Sequence, residues 1–173
     1  FVVAYDLDTL EEVWRWFSVP PVGGDPKWDF KDGDKGNIKP FEGDWGESDL
    51  IGGGAVWSLI SIDEETRTIY FSTGSSPGVI DAALRPGPNL YASSIIALDV
   101  DTGKMKWYHQ IAPHDINDHE IGWSVILGEI EINGQRKKAI MAGSKTDHVF
   151  VLDALSGQLL HEPLRLGNQA FNV

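Results

Sequence analysis

The sequence predicts an all-β chain: a β-propeller fragment of about two and a half four-stranded blades. Three observations carry this expectation. A short motif occurs three times along the 173 residues. Apolar runs bounded by turn residues fill the spaces between its copies, and no helical period of useful length interrupts them. The composition agrees: 19 Gly suit a chain of many tight turns, and 7 Trp supply large flat side chains for docking between neighbouring sheets.

The motif is clearest in Ala97-Leu98-Asp99-Val100-Asp101-Thr102-Gly103-Lys104-Met105-Lys106-Trp107. The copy Ala4-Tyr5-Asp6-Leu7-Asp8-Thr9-Leu10-Glu11-Glu12-Val13-Trp14 stands 93 residues earlier and keeps the Ala, both Asp, the Thr and the Trp. A weaker copy runs from Val151 to His161, 54 residues later, with Asp153, Ser156 and Gly157 in place. Each copy reads as strand, turn, strand. The Asp and the Thr or Ser can bond the turn backbone, and Gly supplies positive φ where it occurs. Trp14 and Trp107 are therefore expected at equivalent outer positions, each packed against an adjacent blade.

Other strands follow from the runs between the copies. Ala55–Ile62 and Thr68–Thr73 flank a charged turn over 63–67, and Trp123–Ile132 and Lys138–Gly143 flank Asn133-Gly134, a strong hairpin signal. His148–Leu152 comes next. The chain then divides into the end of one blade (1–16), a long loop (17–54), a second blade (55–109), a loop of catalytic type (110–122) and a third blade (123–164). The sequence opens directly on the strand pattern Phe1-Val2-Val3-Ala4-Tyr5. This number of blades cannot close a ring, so the remaining blades are expected outside this chain. The long connections 17–54 and 74–90 are expected to be functional, and the acidic run Asp25–Glu47 to be a solvated loop.

Charge and composition exclude several function classes. The formal net charge of −12 opposes a nucleic-acid surface, which needs clustered cations, and opposes docking to an anionic bilayer. Cysteine is absent, which removes disulfides, Cys-ligated zinc, iron–sulfur clusters and thiol catalysis. The five His show no zinc spacing, and neither a nucleophile elbow nor a phosphate loop occurs.

Several spaced motifs resemble the PQQ-dependent (pyrroloquinoline quinone) alcohol dehydrogenases. The Ala-x-Asp-x-x-Thr-Gly-x-x-x-Trp repeat is similar to that family's tryptophan-docking motif. Gly52-Gly53-Gly54-Ala55-Val56-Trp57 resembles its Gly-Gly-Gly-x-x-Trp. The run 84–91 resembles its Arg-Pro-Gly-Asp-Asn segment, and Pro113-His114-Asp115-Ile116-Asn117-Asp118 its Pro-His-Asp-x-Trp-Asp. The resemblance implies an eight-bladed propeller that oxidises alcohols or sugars in the periplasm or otherwise outside the cytoplasm. It implies PQQ over the central channel, Ca²⁺ or a lanthanide ion against it, and electrons passed to a cytochrome c or to a quinone.

The same resemblance implies roles for individual residues. Trp57 would form the floor under PQQ, since a flat aromatic offers a face for stacking a planar quinone. Asp118 would be the base that takes the substrate hydroxyl proton, and Lys145 would contact the PQQ oxygens. Ser75 stands where the family places a metal-binding Asn, and Asn117 stands where it places a Trp. Glu120, two residues beyond Asp118, matches an extra carboxylate of lanthanide-type relatives, so the implied metal set is Ser75, Asp118 and Glu120. His114 and Asp115 read as loop-shaping residues. The alternative function is a non-enzymatic scaffold or binding module of the same propeller type.

Overall fold

Local hydrogen bonding explains why the repeated motif folds as a hairpin. In the copy at 97–107, Asp99 Oδ1 accepts the amides of Asp101 (3.2 Å) and Thr102 (3.0 Å) and the Thr102 hydroxyl (2.9 Å). Asp6 makes the same three bonds to residues 8 and 9, and Asp153 to residues 155 and 156. The carboxylate thus takes up amides that the reversal leaves without strand partners. In each copy the residue four beyond the Asp donates its amide back to the Asp carbonyl and has positive φ: Leu10, Gly103 and Gly157.

The computed structural model describes residues 1–19, 44–45, 52–77 and 82–167. Among these residues, ten strands form three antiparallel sheets. A two-stranded hairpin pairs β1 (Val2–Tyr5) with β2 (Glu12–Trp16). The second sheet is a meander of β3 (Ser61–Asp63), β4 (Thr68–Ser72), β5 (Ser94–Asp99) and β6 (Met105–Gln110). The third is a meander of β7 (Ile126–Ile132), β8 (Gln135–Gly143), β9 (His148–Asp153) and β10 (Leu164–Arg165). A short 3₁₀ turn at Ala82–Leu84 interrupts the loop between β4 and β5. Among the described residues, no helix is long and apolar enough to cross a membrane.

The hydrophobic cores lie between sheets, and strand alternation puts them there. In β5, Ile95 and Ala97 join a core shared with the third sheet, while Ile96 and Leu98 join a core shared with the first hairpin. In β4, Tyr70 faces the third sheet and Ile69 and Phe71 face the first. The period of two sends successive side chains to opposite faces, so the middle sheet is buried on both sides. This is the stacking of neighbouring blades.

Tryptophan fastens each sheet to the next. Trp14 Nε1 donates to the Val100 carbonyl (2.9 Å), and Trp107 Nε1 donates to the Ala154 carbonyl (2.9 Å). The rings lie over Gly103 and Gly157, where a Cβ would come within 2.5 Å of the indole. The Trp that ends one copy of the motif therefore docks on the turn of the next copy, at equivalent places in both cases. Lys138 of β8 adds an ionic clasp, reaching Asp63 (2.9 Å) and Glu65 (2.6 Å) at the end of the β3–β4 hairpin.

The structure corrects three expectations. The strand expected over Ala55–Ile62 shrinks to Ser61–Asp63. Gly53 and Gly54 have positive φ, and the backbone at 54–55 bonds instead to Gly74 and Ser75. The strand expected from Trp123 begins at Ile126. The acidic run is not wholly solvated: Asp44 and Trp45, the part of it that the described residues include, are buried at 1% and 4% exposure. Asp44 accepts the Asn89 amide (2.5 Å) and the Leu90 amide (2.8 Å), and Trp45 Nε1 donates to the Leu90 carbonyl (2.8 Å). Burial pushes the Asp44 carboxyl up, and these bonds offset only part of that cost.

Candidate active site

Four of the five residues singled out in the sequence meet in one bonded group. They come from the turn after β4 (Gly74-Ser75), the loop between β6 and β7 (residues 113–122) and the turn after β8 (Ser144–Thr146). Lys145 Nζ bonds Asp118 Oδ2 (2.7 Å) and Glu120 Oε1 (2.8 Å). The Ser75 hydroxyl donates to Asp118 Oδ1 (2.9 Å), and the Ser75 amide donates to Glu120 Oε2 (2.7 Å). The fifth, Trp57, takes no part in these bonds and has 54% of its surface exposed. It lies on the segment that runs beside Ser72–Ser75, tied by Ser58 Oγ to Ser72 Oγ (2.9 Å).

Close backbone approach sets the positions of these loops. A Cβ on Gly53 would stand 2.3 Å from the Ser75 carbonyl oxygen, and one on Gly74 would stand 2.7 Å from Glu120 Oε2. Two main-chain bonds, Gly54 to Ser75 (2.8 Å) and Gly74 to Ala55 (2.9 Å), lace the glycine run to the Ser75 turn. Gly74 is a residue that sequence reasoning missed. Its role appears only when Glu120, remote in sequence, arrives to fill the space a side chain would take.

Asp115 holds the loop that carries the base candidate. It is buried, and its carboxylate accepts the amides of Asn117 (3.0 Å) and His119 (2.8 Å) and the Ser93 hydroxyl (3.0 Å). The two amides flank Asp118, which sits at φ 60°. Arg85, also buried, donates to the Asp115 carbonyl (2.7 Å), and His114 Nδ1 meets the Gly87 carbonyl (2.9 Å). His114 and Asp115 of the Pro-His-Asp run therefore both shape the loop. Arg85 stands in the segment that resembles the family's Arg-Pro-Gly-Asp-Asn, but its bond to Asp115, 30 residues away, has no local signature in the sequence.

Electrostatics follow from the bonds. The Lys145 ammonium is the main cause holding the Asp118 carboxyl below the usual range; partial burial works against it and the Ser75 hydroxyl with it. The bonds to Asp118 and then Glu120 push Lys145 up. Asp118 is thus an ionised carboxylate, 55% exposed at its side chain, beside a fixed positive charge. Glu120 is enclosed, at 12%. Asp118, Glu120 and Ser75 offer hard oxygen donors of the kind that Ca²⁺ and lanthanide ions take. The two carboxylates already hold one cation, the Lys145 ammonium. Among the described residues, no three His, Cys, Asp or Glu come together as a metal cluster. The donors of Asp118, Glu120 and Ser75 would make up only a part of such an ion's shell.

This is the class of protein that stacked, Trp-fastened sheets with polar loops at one end define: a β-propeller with its site where loops of neighbouring blades meet. The chain belongs to the family described as PQQ: Glucose/ethanol/alcohol dehydrogenase, beta-propeller domain, which it matches over residues 1–163. It is 39% identical over 165 residues to the quinohemoprotein alcohol dehydrogenase of Comamonas testosteroni, covering 92% of this chain and 23% of that protein. The crystal structure of that enzyme superposes with a TM-score of 0.75 at 35% identity, over 95% of this chain and 24% of the other. A europium-containing methanol dehydrogenase gives a TM-score of 0.74 at 26% identity, over 94% of this chain and 29% of the other. The chain thus spans about a quarter of the length of the relatives it matches.

Proposed function

We propose that this chain supplies part of the active site of a PQQ-dependent alcohol dehydrogenase. The enzyme oxidises a primary or secondary hydroxyl to an aldehyde or ketone and passes electrons to a cytochrome or a quinone. The observation that carries the reading is the meeting of Ser75, Asp118, Glu120 and Lys145 in one bonded group. A propeller acting only as a scaffold has no need of that arrangement. The similarity to a quinohemoprotein alcohol dehydrogenase supports the substrate class, and the europium-containing relative supports a metal that is Ca²⁺ or a lanthanide. The reading carries with it a periplasmic or otherwise extracytoplasmic location, and further blades that complete the ring.

When bound, PQQ supplies the acceptor for the two electrons and the metal supplies Lewis acidity. The chain's own residues do the rest. Trp57 offers an exposed indole face for stacking the planar cofactor. Lys145 would set a positive charge against the cofactor's oxygens. Asp118, ionised and open to solvent, accepts the hydroxyl proton at a carboxylate oxygen. The Ser75 hydroxyl and the Asp118 and Glu120 carboxylates are the oxygen donors offered to the metal. A hydroxyl is a shorter donor than the carboxamide it replaces, and here it also orients Asp118.

The test uses the full-length enzyme. Loading with PQQ and Ca²⁺ or La³⁺ should produce a quinone absorbance band. Asp118→Asn should keep that band and lose turnover by about 100- to 10,000-fold, the usual range for a general base. Undiminished oxidation by the loaded variant would remove Asp118 from the role.

A further inference from the structure

Asp118 and Glu120 share one ammonium but sit in opposite surroundings. Asp118 is open, with 55% of its side chain exposed, whereas Glu120 is enclosed at 12%. Each Glu120 oxygen already accepts a bond: Oε1 from Lys145 Nζ (2.8 Å) and Oε2 from the Ser75 amide (2.7 Å). Its carboxylate fills the space left by the missing side chain of Gly74. Lys145 is tied to this one residue at both ends, since its amide also donates to the Glu120 carbonyl (3.1 Å).

A lysine arm has several rotatable bonds, and a single pair to an exposed carboxylate does not hold it in one place. The second, enclosed carboxylate does. We propose that Glu120 is a positioning residue, which holds the Lys145 ammonium against Asp118 and locks the Gly74-Ser75 turn to the same point. The inference rests on Lys145 being a quinone contact. It gives Glu120 a duty separate from metal ligation: the carboxylate joins two blades at the site and keeps the cation beside the base.

Glutamine cannot take over this duty. Its amide has one oxygen for two donors, so its NH₂ would face either the Ser75 amide or the Lys145 ammonium. The experiment is a double-mutant cycle in the full-length enzyme with Glu120→Gln, Lys145→Met and both. PQQ affinity of the apoenzyme is read by quenching of tryptophan fluorescence at saturating Ca²⁺, and kcat and KM are read separately. Each single variant should weaken PQQ binding by about tenfold or more. The double variant should be no weaker than Lys145→Met alone, because Glu120 acts through Lys145. Glu120→Gln should lower kcat more than it raises the KM for alcohol.

A loss that persists in full on the Lys145→Met background would overturn the proposal. So would a loss removed by excess Ca²⁺ or La³⁺, which would make Glu120 a metal ligand first. Unchanged PQQ affinity in Lys145→Met would instead overturn the placement of Lys145 on the cofactor, and this inference with it. If Glu120→Gln does not fold, Glu120→Asp enters the same cycle, its shorter arm being unable to span both donors.

Discussion

At the outer turns an aspartate bonds residues two and three further along the chain, as Asp99 does with Asp101 and Thr102. At the inner loops an aspartate bonds a lysine 27 residues away and a serine 43 residues away, as Asp118 does with Lys145 and Ser75. The outer arrangement occurs three times with nearly the same geometry, and the inner one occurs once. A turn that satisfies its own backbone can be copied wherever its few residues are copied. A site whose partners come from two different sheets exists only after those sheets have docked. The outer turns are therefore expected to carry stability and the inner loops function.

Breaking the outer arrangement should have the largest effect. Trp107 is buried and fills the space over Gly157, so Trp107→Ala should destabilise by about 3–5 kcal/mol. Trp14 makes the same bond but is only partly buried, so its loss should cost less. Urea unfolding of the full-length protein would read both. A Trp107→Ala protein of unchanged stability but lost activity would invert the comparison.

Gly74→Ala tests the inner arrangement from the other side. The added methyl meets Glu120 Oε2 at 2.7 Å, so the carboxylate must shift. Turnover should fall by about tenfold, the scale for displacing a bond to a charged group, while stability changes by about 1 kcal/mol. Steady-state kinetics beside a thermal melt separates the two. An active but unstable variant would show that this contact serves folding.

The Lys138 clasp gives a smaller effect with a defined pH signature. Burial pushes the Asp63 carboxyl up, but the bonds from Lys138 and Thr66 outweigh it and hold the group below the usual range. A depressed folded pKa means that the contribution is fully present above the unfolded value, about 3.9. It is lost as pH falls through the lower folded value. Lys138→Met should therefore lower Tm by a few degrees at neutral pH, and the gap to wild type should close as pH falls through the depressed folded value. A gap independent of pH would assign the effect to packing.

The smallest expected change lies in the first turn, where Leu10 holds positive φ in the place that Gly103 and Gly157 occupy in the other copies. Relief of that backbone cost should make Leu10→Gly more stable by at most about 1 kcal/mol. A loss of stability would mean that the Leu10 side chain makes a contact that outweighs the strain.

The particular residues show why legibility was uneven. Trp14 and Trp107 could be paired from their offsets because the repeat puts identical surroundings on both. Asp118, Lys145, Ser75 and Glu120 were found through resemblance to a family, by motif register. Their bonds to one another have no local signature in the sequence. Asp44 could not be told from its acidic neighbours in composition. Its burial depends on the amides of Asn89 and Leu90 reaching it from 45 and 46 residues away. The strand expected at 55–62 failed for a similar reason, because its backbone found partners at Gly74 and Ser75 that its own residues do not announce.

What the sequence determined by itself was whatever depends on short-range order. Strand period, turn chemistry and the repeated Trp follow from side chains a few residues apart, and these settle an all-β chain of stacked sheets. Tertiary structure decided which carboxylate is enclosed and which is open, and that Lys145 stands between them. A charge takes its character from neighbours within a few ångströms, and at this site those neighbours come from loops that only the docking of two blades brings together.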